Sequence, residues 1–309
     1  MIGVVGGAGF IGIHTVKMLD RLGYEVVVID NLSKARRENI DELNKMGIEI
    51  RIADIRSDEI KKALKGVERI IHLAALISVE ESLKNPRLYC QVNTYGTVNL
   101  LDACVEAGVE RFVYASSAAV YGNPKYLPID EKHPLKPLSP YGASKASGEL
   151  FCLVYNSLNR LETVILRYFN VYGPGQSDEY AGVITRFIKS VIKGKPPVIY
   201  GDGLQTRDFI YVEDVALANV KALFKENIGG YVFNIANGTP VKIKDLAYTI
   251  IRLLNMEGTM EPVYSKPRPG DIRESYADIS LARRHLDFCP QVSLEEGLVK
   301  TIKYYTARI

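Results

Sequence analysis

Tyr141 and Lys145 stand four positions apart in the run Tyr141-Gly142-Ala143-Ser144-Lys145. On a helix this spacing puts a phenol and an ammonium on one face. A neighbouring cation favours the phenolate, which is a base. An unperturbed tyrosine titrates near pH ~10, so general-base work near neutrality needs a shift of roughly three units, or about 4 kcal/mol. Alone, the pair is equally what an exposed helix face carries. Ser116 and Ser117 change its weight, because they close the apolar run Arg111 to Ser116, which reads as a strand. Ligands in α/β sheets sit beyond the carboxyl ends of strands. A hydroxyl there can orient a substrate hydroxyl while Tyr141 takes its proton, making Ser117, Tyr141 and Lys145 the catalytic candidates.

A second constellation lies at the start of the chain, where Gly6, Gly9 and Gly12 follow the apolar residues Ile2 to Val5, and Phe10 and Ile11 open an amphipathic stretch. Glycines between a strand and a helix let backbone approach a pyrophosphate, and the helix N-terminus supplies amide donors. Asp30 ends the next apolar run eighteen positions after Gly12, with Asn31 beside it. That is close to the spacing of a ribose-binding acid. Its carboxylate accepts from ribose hydroxyls and repels a 2′-phosphate, which favours NAD over NADP. Arg36 and Arg37 weigh the other way, as cations able to neutralise such a phosphate.

The elements that must position these residues follow from periodicity. Short apolar runs at Ile2–Val5, Glu25–Ile29, Ile48–Ile52, Arg69–Leu73, Arg111–Ala115 and Thr163–Leu166 alternate with helix-length segments such as Ile11–Leu22, Tyr89–Ala107 and Tyr141–Asn159. This βαβ alternation predicts an α/β fold, a Rossmann-type doubly wound parallel sheet forming an NAD-binding domain over 1–170. Beyond Tyr168 the rhythm loosens, with turns at Gly173-Pro174-Gly175, Lys195-Pro196-Pro197 and Gly201-Asp202-Gly203. A smaller C-terminal α/β substrate domain is expected over 171–309. The stretch 208–237 is expected to rejoin the first sheet through a helix, Val212–Phe224, and a strand, Tyr231–Ile235. The helical segment Leu294–Tyr305 closes the chain.

Composition removes several classes. A chain of 309 residues with 47% hydrophobic and 24% charged residues is globular, not disordered or fibrous. The 39 basic and 36 acidic residues leave a formal charge of +3, too balanced for a nucleic-acid partner. Cys90, Cys104, Cys152 and Cys289 lie far apart without metal-ligand spacing, which predicts reduced thiols and no metal. No signal segment or apolar run of membrane-spanning length is present, so a soluble, cytoplasmic protein without a membrane partner is expected.

The spacing Gly6, Gly9, Gly12, together with Tyr141-x-x-x-Lys145, resembles the extended short-chain dehydrogenase/reductase family over nearly the whole chain. The resemblance implies further roles. Asp54-Ile55 corresponds to the adenine contact, Leu73-Ala74-Ala75 to the strand end beside the cofactor, and Asn93 to a structural and cofactor-proximal asparagine. Ser116 and Tyr168 join the cofactor side. In Tyr168-Phe169-Asn170-Val171-Tyr172-Gly173-Pro174-Gly175, Asn170 falls at a diphosphate-binding position. Arg207 and the Arg268-Pro269-Gly270-Asp271 run resemble the two arginine-bearing motifs that hold a nucleotide diphosphate. Paired guanidinium forks suit that group chemically.

The implied activity is NAD-dependent 4-epimerisation of a UDP-hexose, interconverting UDP-glucose and UDP-galactose through a 4-keto sugar. Family dehydratases carry acids after the strand-end hydroxyl, where this chain has Ala118 and Ala119. Methyl groups exchange no protons, which argues against 4,6-dehydration. A UDP-glucuronate 4-epimerase or decarboxylase, or a non-catalytic NAD sensor or scaffold, are the other readings. Ser275, four residues after Asp271, resembles the position bordering the sugar C2 substituent. A small residue there implies acceptance of UDP-GlcNAc and UDP-GalNAc, while a slip of one places Tyr276 at the gate. Family precedent also implies a homodimer packed through Tyr89–Ala107 and Tyr141–Asn159.

Overall fold

The computed structural model describes residues 1–177, 181–268 and 270–308. Its first half runs β1 (Ile2–Val5), α1 (Phe10–Arg21), β2 (Val26–Asp30), α2 (Arg37–Lys45), β3 (Glu49–Ile52), α3 (Glu59–Ala63), β4 (Arg69–His72), α4 (Val79–Lys84) and α5 (Pro86–Tyr89). A π-helical turn (Cys90–Tyr95), α6 (Gly96–Ala107), β5 (Arg111–Ser117), a 3-10 turn (Ala118–Val120), α7 (Pro140–Ser157) and β6 (Glu162–Tyr168) follow. The second half runs β7 (Asn170–Tyr172), α8 (Val183–Ile192), β8 (Val198–Tyr200), β9 (Thr206–Tyr211), α9 (Val212–Phe224) and β10 (Val232–Ile235). It ends with β11 (Pro240–Lys242), α10 (Ile243–Leu253), β12 (Val263–Ser265), α11 (Ser280–His285) and α12 (Leu294–Thr306).

Seven strands make one sheet in the order β10-β6-β5-β4-β1-β2-β3, every pair parallel. Alternate residues serve opposite faces, as the strand period requires. Val4, Val28, Ile71, Val113 and Val164 meet Ile13 and Val16 of α1 and Val215 and Ala218 of α9. Val5, Val27, Ile70, Phe112 and Tyr114 meet Leu100 and Cys104 of α6 and Cys152 of α7. This is the doubly wound α/β architecture. Strand order reverses between β1 and β4, so a crevice opens beyond their carboxyl ends.

β10 pairs with β6, so the chain re-enters the large sheet after leaving it at Tyr168. The segments between and after build a smaller layer in which β7 lies parallel to β9, and β11 antiparallel to it. Phe187 and Ile188 of α8, Leu246 and Ile250 of α10 and Leu298 of α12 form its core. Among the described residues no helix is long and apolar enough to cross a membrane.

The helix expected over Tyr89–Ala107 is not uniform. A π-helical turn separates α5 from α6. Its wider turn aims Asn93 inward, where Oδ1 accepts from Leu76 N at 2.8 Å and Nδ2 donates to Leu76 O at 2.8 Å and to Ser144 Oγ at 3.0 Å. Such turns appear where one side chain must be re-aimed.

Candidate active site

Gly6 has φ +82°, a left-handed conformation, and a Cβ there would lie 2.5 Å from Ala74 N. A Cβ on Gly12 would overlap the Gly6 carbonyl oxygen. Only glycine permits a turn this tight against the end of β4. Gly9 is the N-cap of α1 with no side-chain cap, and the first turn carries no acid. The helix therefore presents its amide donors and positive end to whatever binds there. Asn39 of α2 braces the turn, its Nδ2 donating to Ala8 O at 2.8 Å.

Asp30 binds the turn to the end of β2. Its carboxylate accepts from Ala8 N at 3.1 Å and Leu32 N at 2.8 Å. Burial pushes its pKa up, and these two bonds oppose the shift. A cavity of about 290 Å3 opens beside it, lined by Gly6, Gly9, Asn31, Asp54, Ile55, Leu73, Ala74 and Ala75. Asp54 accepts from Asn31 Nδ2 at 2.9 Å and from Arg56 Nη2 at 2.7 Å, and Arg56 holds it well below the usual carboxylate range. Arg36 donates to Tyr304 Oη at 3.1 Å and pairs with Glu38 at 3.3 Å, while Arg37 pairs with Asp41 at 3.1 Å. Both arginines are engaged away from Asp30. The glycine cradle, the exposed helix N-terminus and the strand-end acid together fit a dinucleotide with an unphosphorylated ribose.

α7 carries the catalytic candidates. Ser139 caps it, accepting from Gly142 N at 3.1 Å, and Pro140 occupies its first turn. A Cβ on Gly148 would overlap the buried Tyr114 hydroxyl, so glycine lets the helix lie tight on β5. A second cavity, of about 380 Å3, is lined by Gly9, Phe10, Ile11, Gly12, Ser117, Tyr141, Lys145 and Tyr168. The Ser117 hydroxyl accepts from Ala119 N at 3.2 Å and lies near enough to the Tyr141 phenol to oppose the upward shift of its pKa. No carboxyl group is among the described residues lining this cavity.

The electrostatics differ from the sequence expectation. Burial pushes the Tyr141 phenol up, with only the Ser117 hydrogen bond opposing. The Lys145 ammonium lies instead over the Tyr114 ring, 4.3 Å from its centroid. Burial pulls Lys145 down to about 8, with Cys152 and Glu149 opposing the shift. In this arrangement Tyr141 is a neutral phenol, and its activation requires a further positive charge.

Three more of the expected residues take these places. Ser116 borders the cavity, but its hydroxyl donates to Glu149, away from the cofactor side. Successive strand residues point to opposite faces, so the two hydroxyls are aimed apart although both residues border the cavity. Asn93 is 1% exposed and acts through Leu76 and Ser144, not as a lining residue. The Tyr168 ring lines the cavity, while its hydroxyl donates to Asn219 Oδ1 at 2.5 Å.

A third cavity, of about 610 Å3, lies in the smaller layer and is lined by Asn170, Arg207, Arg268 and Asp271. Asn170 Nδ2 donates to Asp208 O at 2.8 Å. Arg207 is paired with Asp271 and donates to the carbonyls of Thr206 at 2.7 Å and Ile272 at 2.6 Å. The Arg268 guanidinium stacks 3.9 Å from the Tyr200 ring centroid. Pro269 lies outside the described residues. Ser275 is half-buried and lines none of the three cavities. Arg186, Tyr200 and Gln205 line the third cavity and were not foreseen. In sequence Arg186 reads as an ordinary cation on an amphipathic helix. Gln205 carries no local signal, yet its Oε1 is buried without a hydrogen-bond partner among the described residues.

Comparison with known proteins agrees with this geometry. The model of the NAD dependent epimerase/dehydratase family matches residues 2–236. The UDP-glucose 4-epimerase of Mycolicibacterium smegmatis is 38% identical, over 98% of this chain and 97% of its own. The UDP-N-acetylglucosamine 4-epimerase of Methanobrevibacter ruminantium M1, solved with UDP-N-acetylmuramic acid, superposes with TM-score 0.93 at 38% identity, covering 100% of this chain and 98% of its own. The UDP-glucose 4-epimerase of Thermotoga maritima, solved with UDP-glucose, gives 0.92 at 37% identity, covering 99% of each chain. The likeness to the solved structures runs the full length of the chain, the glycine cradle and the smaller layer included, so the chain belongs to the NAD-dependent epimerase/dehydratase family and its cofactor is NAD.

Proposed function

We propose that this protein is a UDP-hexose 4-epimerase. The observation that carries the reading is that Ser117, Tyr141 and Lys145 line one cavity whose described lining has no carboxyl group. Bound NAD supplies the hydride acceptor and donor at sugar C4 and, when oxidised, the positive charge that Tyr141 lacks here. The Ser117 hydroxyl orients the sugar 4-hydroxyl. Tyr141 Oη takes that proton as the alcohol becomes a ketone, and returns it when the ketone is reduced on its opposite face. Lys145, held over the Tyr114 ring, lines the same cavity as the phenol, and Asp30 would hold the cofactor ribose. C4 is inverted with no net redox change.

The third cavity suits a nucleotide diphosphate. Arg207 and Arg268 converge there, and the orphaned Gln205 Oε1 offers an acceptor to a base N–H. We divide the chain into a cofactor unit, 1–170 with the returning segment 208–237, and a substrate unit built from the remainder of 171–309. The name of the Methanobrevibacter relative supports acceptance of N-acetyl sugars as well. Leu150, Phe151 and Val154 of α7 are exposed beside Leu88 of α5 and Tyr95, an apolar face that supports a homodimer.

Incubation of the purified protein with UDP-glucose, followed by sugar analysis, tests the reading. UDP-galactose is the expected product. A 4-keto-6-deoxy sugar would show dehydration instead, and UDP-glucuronate as the sole substrate would show the uronic acid reading. No turnover of any sugar nucleotide would leave NAD sensing.

A further inference from the structure

The arm of chain that brings Arg268 and Asp271 to the third cavity runs between β12 and α11, and its described residues form neither helix nor strand. Its place must therefore be set by individual bonds. Three consecutive residues of β9 supply them. Thr206 N donates to Arg273 O at 2.9 Å. Arg207 pairs with Asp271 and donates to Ile272 O at 2.6 Å. Asp208 Oδ2 accepts from Ala277 N at 3.1 Å. Successive strand side chains point to opposite faces, so the arm is gripped from both faces of β9.

Unlike Arg207, Asp208 lines none of the three cavities and is fully buried. Its carboxylate also accepts from Asn237 N at 2.8 Å and Gly238 N at 3.0 Å, in the turn that follows β10. Burying a carboxylate is costly unless donors satisfy it, and here three backbone amides do so. The amides come from two segments far apart in sequence. One side chain thus ties the arm to β9 and to the end of the large sheet. On its other edge Ala277 is bracketed by Ile129, which donates to Tyr276 O at 2.9 Å and accepts from Asp278 N at 2.8 Å.

We infer that Asp208 is a positioning residue for the sugar nucleotide, fixing the Ala277 amide against the Asn237–Gly238 turn so that the arm holds Arg268 and Asp271 at the third cavity. The inference rests on the placing of the nucleotide diphosphate in that cavity. Without the carboxylate, buried amides lose their acceptor, and the pairing of Ala277 with Ile129 loses its side-chain tie to β9. The loss falls on nucleotide binding and not on the chemistry, because Ser117, Tyr141 and Lys145 stand on β5 and α7, which the Asp208 carboxylate does not touch.

Asp208→Asn keeps the shape of the side chain, and the backbone carbonyl that accepts from Asn170, but one of its two terminal atoms is no longer an acceptor. In the NAD-bound protein, calorimetric titration should show UDP binding roughly tenfold more weakly. KM for UDP-glucose should rise by a similar factor with kcat nearly unchanged, and NAD affinity should not move. Asp214→Asn is the control. Asp214 is also buried, and its carboxylate accepts from Gln291 N at 2.9 Å and Val292 N at 3.2 Å, in a segment that lines no part of the third cavity. That variant should lose stability and keep its UDP affinity. Should Asp208→Asn fail to fold, amide exchange in the unmodified protein, read residue by residue by NMR, decides instead. The Ala277 amide should exchange at least about tenfold more slowly than those of Glu274 and Ser275, which have no acceptor among the described residues, and UDP should slow it further. Unchanged UDP affinity in Asp208→Asn, an equal loss in Asp214→Asn, or an Ala277 amide that exchanges as fast as Ser275 or ignores UDP overturns the inference. Faster Ala277 exchange in Asp208→Asn, when the unmodified protein binds no UDP, keeps Asp208 as the anchor of the arm and sinks the placing of the nucleotide.

Discussion

The Lys145 ammonium lies over the face of Tyr114, 4.3 Å from the ring centroid, in a site where Lys145 is 3% exposed. Cation and ring attract, yet the site is poor in water, and burial lowers Lys145 to about 8. An unfolded lysine titrates near 10.4, so the unfolded chain binds more protons between pH 8 and about 10.4. Stability therefore rises with pH through that window, and below pH 8 the full penalty applies, on the order of 3 kcal/mol. Lys145→Met in cofactor-free protein should melt higher than the parent at pH 7, with the gap closing toward pH 10, while activity is lost. A variant melting lower at both pH values would refute this.

Gly148 and Tyr114 form the contact that seats the catalytic helix. Gly148→Ala forces a methyl into the Tyr114 phenol, and overpacking of this kind costs about 1–3 kcal/mol. Activity should fall along with stability, because Tyr141 and Lys145 ride on the displaced helix. Adding Tyr114→Phe, which removes the oxygen, should recover part of the loss of melting temperature. An alanine variant as stable as the parent would mean that α7 is not packed as described.

Tyr141→Phe deletes the proton acceptor while keeping the ring. Turnover should drop by a factor on the order of 10² or more, with NAD and sugar-nucleotide affinities nearly unchanged. Steady-state rates beside binding titrations decide the matter, and near-normal turnover would exclude Tyr141 as the base.

Asp30→Ala removes the acceptor of the Ala8 and Leu32 amides together with the charge facing the ribose. NAD affinity should weaken and discrimination against NADP should shrink, as read by titration with each cofactor. Arg36 and Arg37 are occupied by Tyr304, Glu38 and Asp41, so the parent should prefer NAD clearly. Equal affinity in the parent would contradict the assignment.

Ser275→Tyr should suppress turnover of UDP-GalNAc by about tenfold or more relative to UDP-galactose, if bulk at this position limits the C2 substituent. Competition assays on the two substrates give the ratio directly. Equal effects on both, or a parent inert toward UDP-GalNAc, would remove Ser275 from the specificity account.

Much of the cofactor side was legible in the sequence because it is local. Glycines at 6, 9 and 12, an acid ending the following strand and a phenol four positions before an ammonium carry their meaning in spacing alone. The parallel sheet likewise follows from alternating runs of Val and Ile with amphipathic stretches, since each must bury its apolar face against the other.

Tertiary structure decided which atoms those residues present. Ser116 and Ser117 look equivalent in sequence, and only the phase of β5 turns one hydroxyl to Tyr141 and the other to Glu149. Asn93 reads as a helix residue until a π-helical turn aims it at Leu76. Arg207 meets Asp271 and Arg167 meets Glu149 only after folding brings distant segments together. The sign of the Tyr141 and Lys145 shifts was likewise invisible, because desolvation depends on what the whole molecule packs over each group and not on the charge four residues away.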